Sequence, residues 1–193
     1  MKEIITIFVS KSKTYKNPIS PYGDKTFNFE TLVTTNNLEM YSIMCSNFIL
    51  NIPLILPKPI RSFRRKTDLS SYYAKTVSYI IIDLDEVKSE FAKQVILEHF
   101  KNYKCIIGES RSYDGFSNFN MKGILFTEDI PIDEVKNVLA EFTMELQEYC
   151  KVDEAAARKP SLNAPMLKNN VFINNEDGIR FKYIKKENIE KIN

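Results

Sequence analysis

The clearest pattern of apolar and polar positions lies at residues 77–83, where the run V-S-Y-I-I-I-D leads into acidic residues. An apolar stretch of this length, bounded by charge, predicts a buried β-strand. Asp83 and Asp85 close the strand, with Leu84 between them. Because side chains on a strand alternate between its faces, both carboxylates are expected on the same side.

The pattern after this strand alternates between helical and strand periodicity. A helix of about sixteen residues is predicted next. It is followed by strands over residues 103–108 and 119–126, and by a second helix that begins at Pro131 and runs to Cys150. The residues predicted to face the core are Val87, Phe91, Val95, Ile96 and Phe100 in the first helix, and Val135, Val138, Leu139, Phe142 and Leu146 in the second.

Two short strands, over residues 171–173 and 179–183, are predicted to form a hairpin through the turn N-N-E-D-G. The order from the acidic strand onwards is then β-α-β-β-α-β, the ferredoxin-like arrangement. The predicted fold class is therefore α+β. A ferredoxin/RRM-like core is expected over residues 71–193, with an N-terminal α/β extension over residues 1–70 that packs on it.

The N-terminal part carries weaker patterns. Strands are predicted over residues 3–9 and 27–33, and a helix over residues 38–50 that ends before Pro53. A basic segment around Phe63 follows, and basic residues interleaved with an aromatic suit a nucleic-acid backbone with a base stacked nearby. Its basic residues are Lys58, Arg61, Arg64, Arg65 and Lys66. A solvated loop is the alternative interpretation.

The composition argues against membrane-spanning, disulfide-rich and zinc-binding classes of protein. The chain is 44% hydrophobic and 27% charged, typical of a globular domain, and it has neither an apolar run long enough to cross a membrane nor a signal-peptide pattern. We therefore expect a cytoplasmic protein without a membrane partner. Cys45, Cys105 and Cys150 are too widely spaced to indicate a zinc site or a disulfide framework. The single histidine, His99, excludes paired-histidine metal sites, and helix packing or a surface position is its expected role.

The predicted topology brings polar residues of the core to one edge of the sheet. If the acidic strand runs upward, the loop at residues 110–112, the beginning of the third strand and the end of the second helix all lie at the top. In the usual strand order the first and third strands are neighbours, which predicts Asp83 beside Lys122. Asp153 follows the second helix. This convergence favours a functional site over a scatter of surface residues.

Such a site suits phosphoryl transfer. Asp83, Asp85 and Asp153 form a carboxylate triad able to hold one or two divalent ions, Mg²⁺ or Mn²⁺. Catalysis would rest on positioning and charge neutralisation, without a histidine. The groups predicted to bind a triphosphate are Ser110, Arg111, Ser112 and Lys122, with Arg158 and Lys159 extending the positive rim.

These segments resemble the catalytic core of the archaeo-eukaryotic primase superfamily, especially its viral and plasmid branches. The strand I-I-I-D-L-D is similar to the first family motif, the stretch E-S-R-S-Y-D-G-F-S-N-F-N-M-K-G-I-L-F to the second, and V-D-E-A-A-A-R-K-P-S to the third. The resemblance covers residues 77–170. The chain departs from the family at Lys122, where the second motif normally has histidine, and at residues 163–165, where N-A-P replaces an expected arginine.

The resemblance implies a DNA primase or primase-polymerase. Such an enzyme is a nucleotidyltransferase that joins nucleoside triphosphates on a single-stranded DNA template with Mg²⁺ or Mn²⁺. It implies that Asp83, Asp85 and Asp153 bind the metal and that the second motif binds nucleotide phosphate. It also implies a partner such as a replicative helicase or another replication protein.

Other functions fit parts of the same pattern. An RNA-binding module of this topology would place K-G-x-x-F on its third strand, which residues 122–126 match, but Ile124 occupies a stacking position. A metal-dependent nuclease needs the carboxylates without a triphosphate pocket. A catalytically degenerate primase relative would serve as a nucleic-acid-binding subunit. Asp85 and Glu86 would also suit the start of a helix, where acids complement the dipole.

Overall fold

The computed structural model describes residues 5–10, 29–34, 38, 39, 42, 45, 48–50, 75–154, 162, 163 and 170–184. Nine β-strands in this part of the chain form two sheets. The first sheet has the order β2-β1-β3-β8 and consists of β1 (Ile5–Ser10), β2 (Phe29–Thr34), β3 (Phe48–Leu50) and β8 (Leu162–Asn163).

The second sheet is antiparallel and five-stranded, in the order β7-β4-β6-β5-β9. It consists of β4 (Thr76–Asp85), β5 (Cys105–Glu109), β6 (Met121–Pro131), β7 (Lys151–Val152) and β9 (Val171–Asn175). Its helices are α1 (Glu90–Phe100) and α2 (Val135–Phe142), the latter followed by a 3₁₀ turn over Met144–Leu146. The prediction of an α+β class is confirmed.

The first sheet confirms the two N-terminal strand predictions and corrects the helix predicted over residues 38–50. The early residues of that segment that the structure describes are helical, but its last three residues form β3. β3 pairs with β1 on one side and with β8 on the other. The helix prediction was therefore wrong at this end, because Phe48 and Ile49 favour a strand once partner strands are present.

The chain crosses from the second sheet to the first and back again. After β7 it leaves the second sheet, adds Leu162 and Asn163 beside β3, and returns to the second sheet as β9. Part of the predicted core therefore shares a sheet with the predicted N-terminal extension.

One face of the second sheet packs against both helices. Ser89 caps α1, since its hydroxyl accepts the N–H of Ala92 at 3.0 Å. The buried cluster includes Ile80, Ile82 and Leu84 from β4, Ala92, Ile96 and Phe100 from α1, and Val135, Val138, Leu139 and Phe142 from α2. The predicted core faces of the helices are thus largely confirmed. Phe91 is an exception, because 69% of it is exposed, and Val95 is only half-buried and lies outside the core cluster.

His99 has the packing role expected of it. Its Nε2 lies 2.9 Å from the carbonyl oxygen of Phe142, and its ring packs edge-on against the rings of Phe100 and Phe142. These contacts tie the end of α1 to the end of α2.

The other face of the second sheet is also buried. Ile81, Ile124 and Ile106 lie side by side across β4, β6 and β5, and none is more than 2% exposed. The middle of the sheet is therefore closed on both faces. Polar groups reach solvent at the end of the strands instead.

Two element predictions in this part were wrong. Pro131 ends β6 instead of opening the second helix, because β6 continues along β4 to the pair Thr76–Pro131, a strand-end position that proline tolerates. The hairpin predicted after residue 171 does not form. β9 pairs with β5, whose edge offers backbone hydrogen-bond partners, and Ile179 and Phe181 only bridge to residues near β5 and β6.

No helix among the described residues is long and apolar enough to cross a membrane.

Gly123 on β6 is under a strict packing constraint. A Cβ atom there would overlap the carbonyl oxygen of Ile106 and lie 2.9 Å from the Cα of Ile107, both backbone atoms of β5. We expect Gly123→Ala to lower the free energy of unfolding by about 1–3 kcal/mol, measured by urea denaturation. Asp129→Ala, at an exposed position of the same strand, is the control and should change it by less than about 0.5 kcal/mol. Equal losses in both variants would contradict this account.

Candidate active site

β4 ends in two acidic side chains that face away from the helices. Ile82 and Leu84 pack into the helical core, so strand alternation directs Asp83 and Asp85 to the opposite face. The Asp83 side chain is 18% exposed. On the same face the preceding position is Ile81, which is buried. The carboxylates therefore lie at the boundary between an apolar surface and solvent.

A first transverse row of charged residues crosses the sheet at this end. β6 places Lys122 directly opposite Asp83. On the other side, the N–H of Asp153 donates to the carbonyl oxygen of Asp83 at 2.9 Å, which continues the register of β7 by one residue. Directly opposed residues of an antiparallel pair share a face, with Cβ atoms about 4.5–5.5 Å apart. The structure thus brings Asp153 to the same side of the sheet as the other two acids.

A second row of polar residues lies next to the first, and Asn120 links the side chains within it. The Nδ2 of Asn120 donates to Asp85 Oδ1 at 3.0 Å and to Ser112 Oγ at 2.9 Å, while its Oδ1 accepts the N–H of Val87 at 3.1 Å. The Ser110 and Ser112 hydroxyl oxygens lie 3.0 Å apart. Asn120 is 5% exposed and uses both ends of its amide, so it fixes the Asp85 carboxylate relative to the serines.

Lys122 and Asp83 form an ion pair. The Nζ of Lys122 donates to Asp83 Oδ2, and the two side chains are 8% and 18% exposed. An ammonium this deeply placed needs a counter-charge. Lys122 supplies one positive charge to a group of three carboxylates, so the group keeps a net negative charge.

The excess negative charge acts on Asp85. Burial, and then repulsion from Asp83 and Asp153, raise the pKa of the Asp85 carboxyl, and attraction to Lys122 opposes them. The surroundings therefore disfavour its ionised form. As the side chains stand, no group of three or more His, Cys, Asp or Glu residues in the described part is arranged to hold a metal ion.

The backbone bends sharply after Asp85. Glu86 has φ 57°, in the left-handed region that residues with a Cβ seldom adopt. Its carboxylate pairs with Lys151 at 3.4 Å, and Lys151 lies opposite Asp85 on β7. The bend turns the chain towards α1 and leaves Asp85 at the open end of the sheet.

A cleft of about 480 Å³ adjoins Asp85. It falls in the range of about 300–1,000 Å³ typical of small-ligand sites. The polar residues that line it include Asp85, Lys88, Ser112, Ser117, Asn118 and Asn120. A larger groove of about 690 Å³ runs beside the helices, past Phe91 and Tyr149, but none of the three aspartates lines it. The smaller cleft is therefore the one that adjoins the site, through Asp85.

The remaining predicted residues divide into two groups. Arg111 is exposed in the loop after β5. The others lie outside the described residues, and they are Arg158 and Lys159, and Lys58, Arg61, Arg64, Arg65 and Lys66.

Sequence reasoning missed Asn120 and Lys151, although a signal for each was present. Asn120 stands two residues before Lys122, and Lys151 two residues before Asp153. Alternation along a strand puts each pair on one face. Asn120 lies within the strand predicted over residues 119–126, so its alternation with Lys122 was a signal that the sequence offered.

The fold and the site define an α+β protein with an acidic group at one end of an antiparallel five-stranded sheet. Comparison with known protein families, with curated proteins and with solved structures finds no match for this chain. Its function is therefore inferred from the geometry of the site.

Removing the charge of Asp85 should stabilise the protein. Asp85→Asn keeps an oxygen that accepts from Asn120 and ends the repulsion from Asp83 and Asp153. Solvent screens part of this repulsion, so we expect the melting temperature at neutral pH to rise by up to about 4 °C.

The pH dependence checks the cause. A carboxyl whose folded pKa is raised makes stability fall as the pH rises from its unfolded value, near 4, through the raised value. This fall in stability with rising pH should be smaller in Asp85→Asn, as measured by calorimetric melting across the same pH range. Asp129→Asn, at an exposed acid of β6, is the control. A lower melting temperature for Asp85→Asn at neutral pH would refute the account.

The Lys122–Asp83 pair should show strong coupling. Lys122→Met leaves the Asp83 charge without its partner and should cost about 2–4 kcal/mol, somewhat below the loss for a fully buried pair. In the presence of Asp83→Asn the same change should cost about 1–3 kcal/mol less. Urea denaturation of the wild type, both single variants and the double variant measures the coupling. Additive losses would show that the pair is not coupled.

Proposed function

We propose that this protein is a metal-dependent nucleotidyltransferase, a DNA primase or primase-polymerase that joins nucleoside triphosphates on a single-stranded DNA template. The observation that carries the proposal is the convergence of Asp83, Asp85 and Asp153 on one sheet face beside Lys122. Like charges from separate parts of a chain repel unless a cation offsets them. An acidic group of this kind is what phosphoryl transfer requires.

The strand order supports a ferredoxin-like, primase-like core. β4, α1, β5, β6, α2 and β7 follow one another as β-α-β-β-α-β, and their strands stand in the order β7-β4-β6-β5. In this arrangement the first and third strands are central neighbours, as β4 and β6 are. β9 is then an additional strand at the β5 edge.

The chemical type of the donors suits Mg²⁺ or Mn²⁺, and the three carboxylates would have to turn towards one another to hold the ion. Hard divalent ions prefer carboxylate oxygens, and the raised pKa of Asp85 reflects repulsion that a cation would relieve. Asp83, Asp85 and Asp153 would hold the ion, which would neutralise charge on the triphosphate and on the attacking 3′-hydroxyl. Lys122 brings a fixed positive charge to the same face, and Ser112, whose hydroxyl is hydrogen-bonded to that of Ser110, lines the cleft.

The buried sheet face argues against an RNA-binding module of the same topology. Such modules stack bases on exposed aromatic residues in the middle of the sheet. Here Ile81, Ile124 and Ile106 occupy that row, and each is at most 2% exposed. Nucleic acid would have to approach the end of the strands, where the acids lie.

A catalytically degenerate primase-like subunit that binds nucleic acid is the second candidate. The Lys122–Asp83 ion pair favours it, because an internal ammonium already offsets part of the charge that a metal would neutralise. In either case we propose a cytoplasmic protein that acts on single-stranded DNA beside a replicative helicase or another replication protein of a virus or mobile element.

A synthesis assay tests the proposal. The protein is incubated with single-stranded DNA and labelled ribo- or deoxyribonucleoside triphosphates, with Mg²⁺, with Mn²⁺ or with a chelator. We expect metal-dependent oligonucleotide products from the wild type and from the control Asp129→Ala. Asp83→Ala and Asp85→Ala should give at least about 100-fold less product, since even one lost transition-state hydrogen bond costs that much.

The other results separate the rivals. Shortening of the DNA without synthesis would indicate a nuclease. Tight binding without either reaction would favour the degenerate subunit. Synthesis that survives both aspartate substitutions would overturn the assignment of the site.

A further inference from the structure

The loop between β5 and β6 is held at both ends by one lysine. The Nζ of Lys93 on α1 lies 5.8 Å from the ring centre of Tyr113, 6.0 Å from that of Phe119 and 4.6 Å from that of Phe172 on β9. The same Nζ donates to the Tyr113 hydroxyl at 3.4 Å, and the lysine side chain is 12% exposed. The hydrogen bond to Tyr113 and cation–π attraction to Phe119 and Phe172 thus join the start and the end of the loop to α1 and β9.

Asp114 fixes the tip of the loop. Its Oδ1 accepts the N–H groups of Phe116 at 2.8 Å, Ser117 at 2.8 Å and Asn118 at 2.9 Å, and its Oδ2 accepts the Ser117 hydroxyl at 2.8 Å. These bonds, the one from Phe116 foremost, hold the pKa of the Asp114 carboxyl well below its usual range. Gly115, at φ 74°, provides the left-handed turn. The tip therefore has a defined conformation at neutral pH.

Phe116 projects from this tip with 91% of its surface exposed. A ring so exposed buries almost no apolar area, so hydrophobic burial does not account for a phenylalanine here. Phe91, 69% exposed, differs because its ring packs edge-on against Tyr149 with 6.2 Å between centroids. A lone exposed apolar residue is common on protein surfaces, and it is the position of Phe116 that gives it significance.

Phe116 directly precedes two residues that line the cleft beside Asp85. The next two residues, Ser117 and Asn118, line that cleft together with Asp85. A flat apolar ring next to a polar cleft matches a ligand with one aromatic face and one polar backbone. An unpaired nucleotide has this character.

We propose that Phe116 is a base-stacking residue that receives the face of an unpaired nucleobase at the mouth of the cleft. The inference rests on the proposed function, since the base belongs either to the single-stranded template or to the nucleoside triphosphate. Stacking of this kind accepts all bases, because each has a π-face. The Lys93 cluster and the Asp114 hydrogen bonds pre-organise the ring, so little entropy is lost on binding.

Binding of oligothymidylate and of deoxythymidine triphosphate, measured by fluorescence titration at constant salt, tests the proposal. We expect Phe116→Ala to weaken binding of one or both by about 5- to 150-fold, the size of one stacking contact, and Phe116→Tyr to bind like the wild type. Ile179→Ala is the matched control. Ile179 is 69% exposed, and its carbonyl oxygen accepts the N–H of Lys104, which lies at the end of β5 that is far from the acids. It should leave both affinities unchanged.

An abasic oligonucleotide isolates the stacking contact. The wild type should bind it more weakly than oligothymidylate. For Phe116→Ala, the difference in affinity between these two oligonucleotides should be smaller. A loss confined to the strand identifies the template as the source of the base, and a loss confined to the triphosphate identifies the incoming nucleotide. Equal affinities of Phe116→Ala and wild type for both ligands would overturn the proposal, as would a wild type that binds neither.

The synthesis assay distinguishes this failure from failure of the proposed function. If Asp85→Ala abolishes synthesis while Phe116→Ala binds normally, the enzyme assignment stands and the stacking proposal is wrong. If binding depends on Phe116 but neither metal supports synthesis, stacking stands and the polymerase assignment is wrong.

Discussion

Repulsion among three carboxylates at one end of an antiparallel sheet is the constraint on which the rest of the site depends. Asp83 and Asp153 are joined through a backbone hydrogen bond, and Asp85 is one row away on the same face. Lys122 offsets one of the charges, and Asn120 holds the Asp85 carboxylate in place. A protein that gathers negative charge in this way has stability to gain by dispersing it, and a departure of this kind from the most stable arrangement is typical of functional sites.

The buried sheet explains why this group lies where it does. Both faces are closed around the middle of the strands, and Ile81 separates the acids from the apolar interior. Charges deeper in the sheet would lose hydration without compensation. β6 joins the two sides of the site, since Lys122 contacts β4 and Gly123 allows β5 to approach closely. The two polar rows therefore cross β7, β4, β6 and β5 at the end of the sheet where the acids lie, and not in its buried middle.

The loop after β5 completes the site as a rigid element. Its ends are tied to α1 and β9 through Lys93, and its tip is tied by Asp114. Ser112 hydrogen-bonds to the Asn120 amide that also contacts Asp85, so one amide group joins the loop to that carboxylate. Groups held in this way need little reorganisation when a ligand binds, which is what positioning catalysis demands.

Local sequence determined the type of β4, β5, β6 and the two helices, and the face on which their side chains lie, because alternation and helical periodicity act over a few residues. Asp83, Asp85 and the inward faces of both helices were predictable on that basis. Tertiary structure alone decided which strands are partners. It put β7 beside β4 and β9 beside β5, placed Asn120 opposite Asp85, and left Phe91 exposed. Such choices depend on backbone hydrogen bonds between residues far apart in the chain, and no local pattern encodes which free edge a strand will complete.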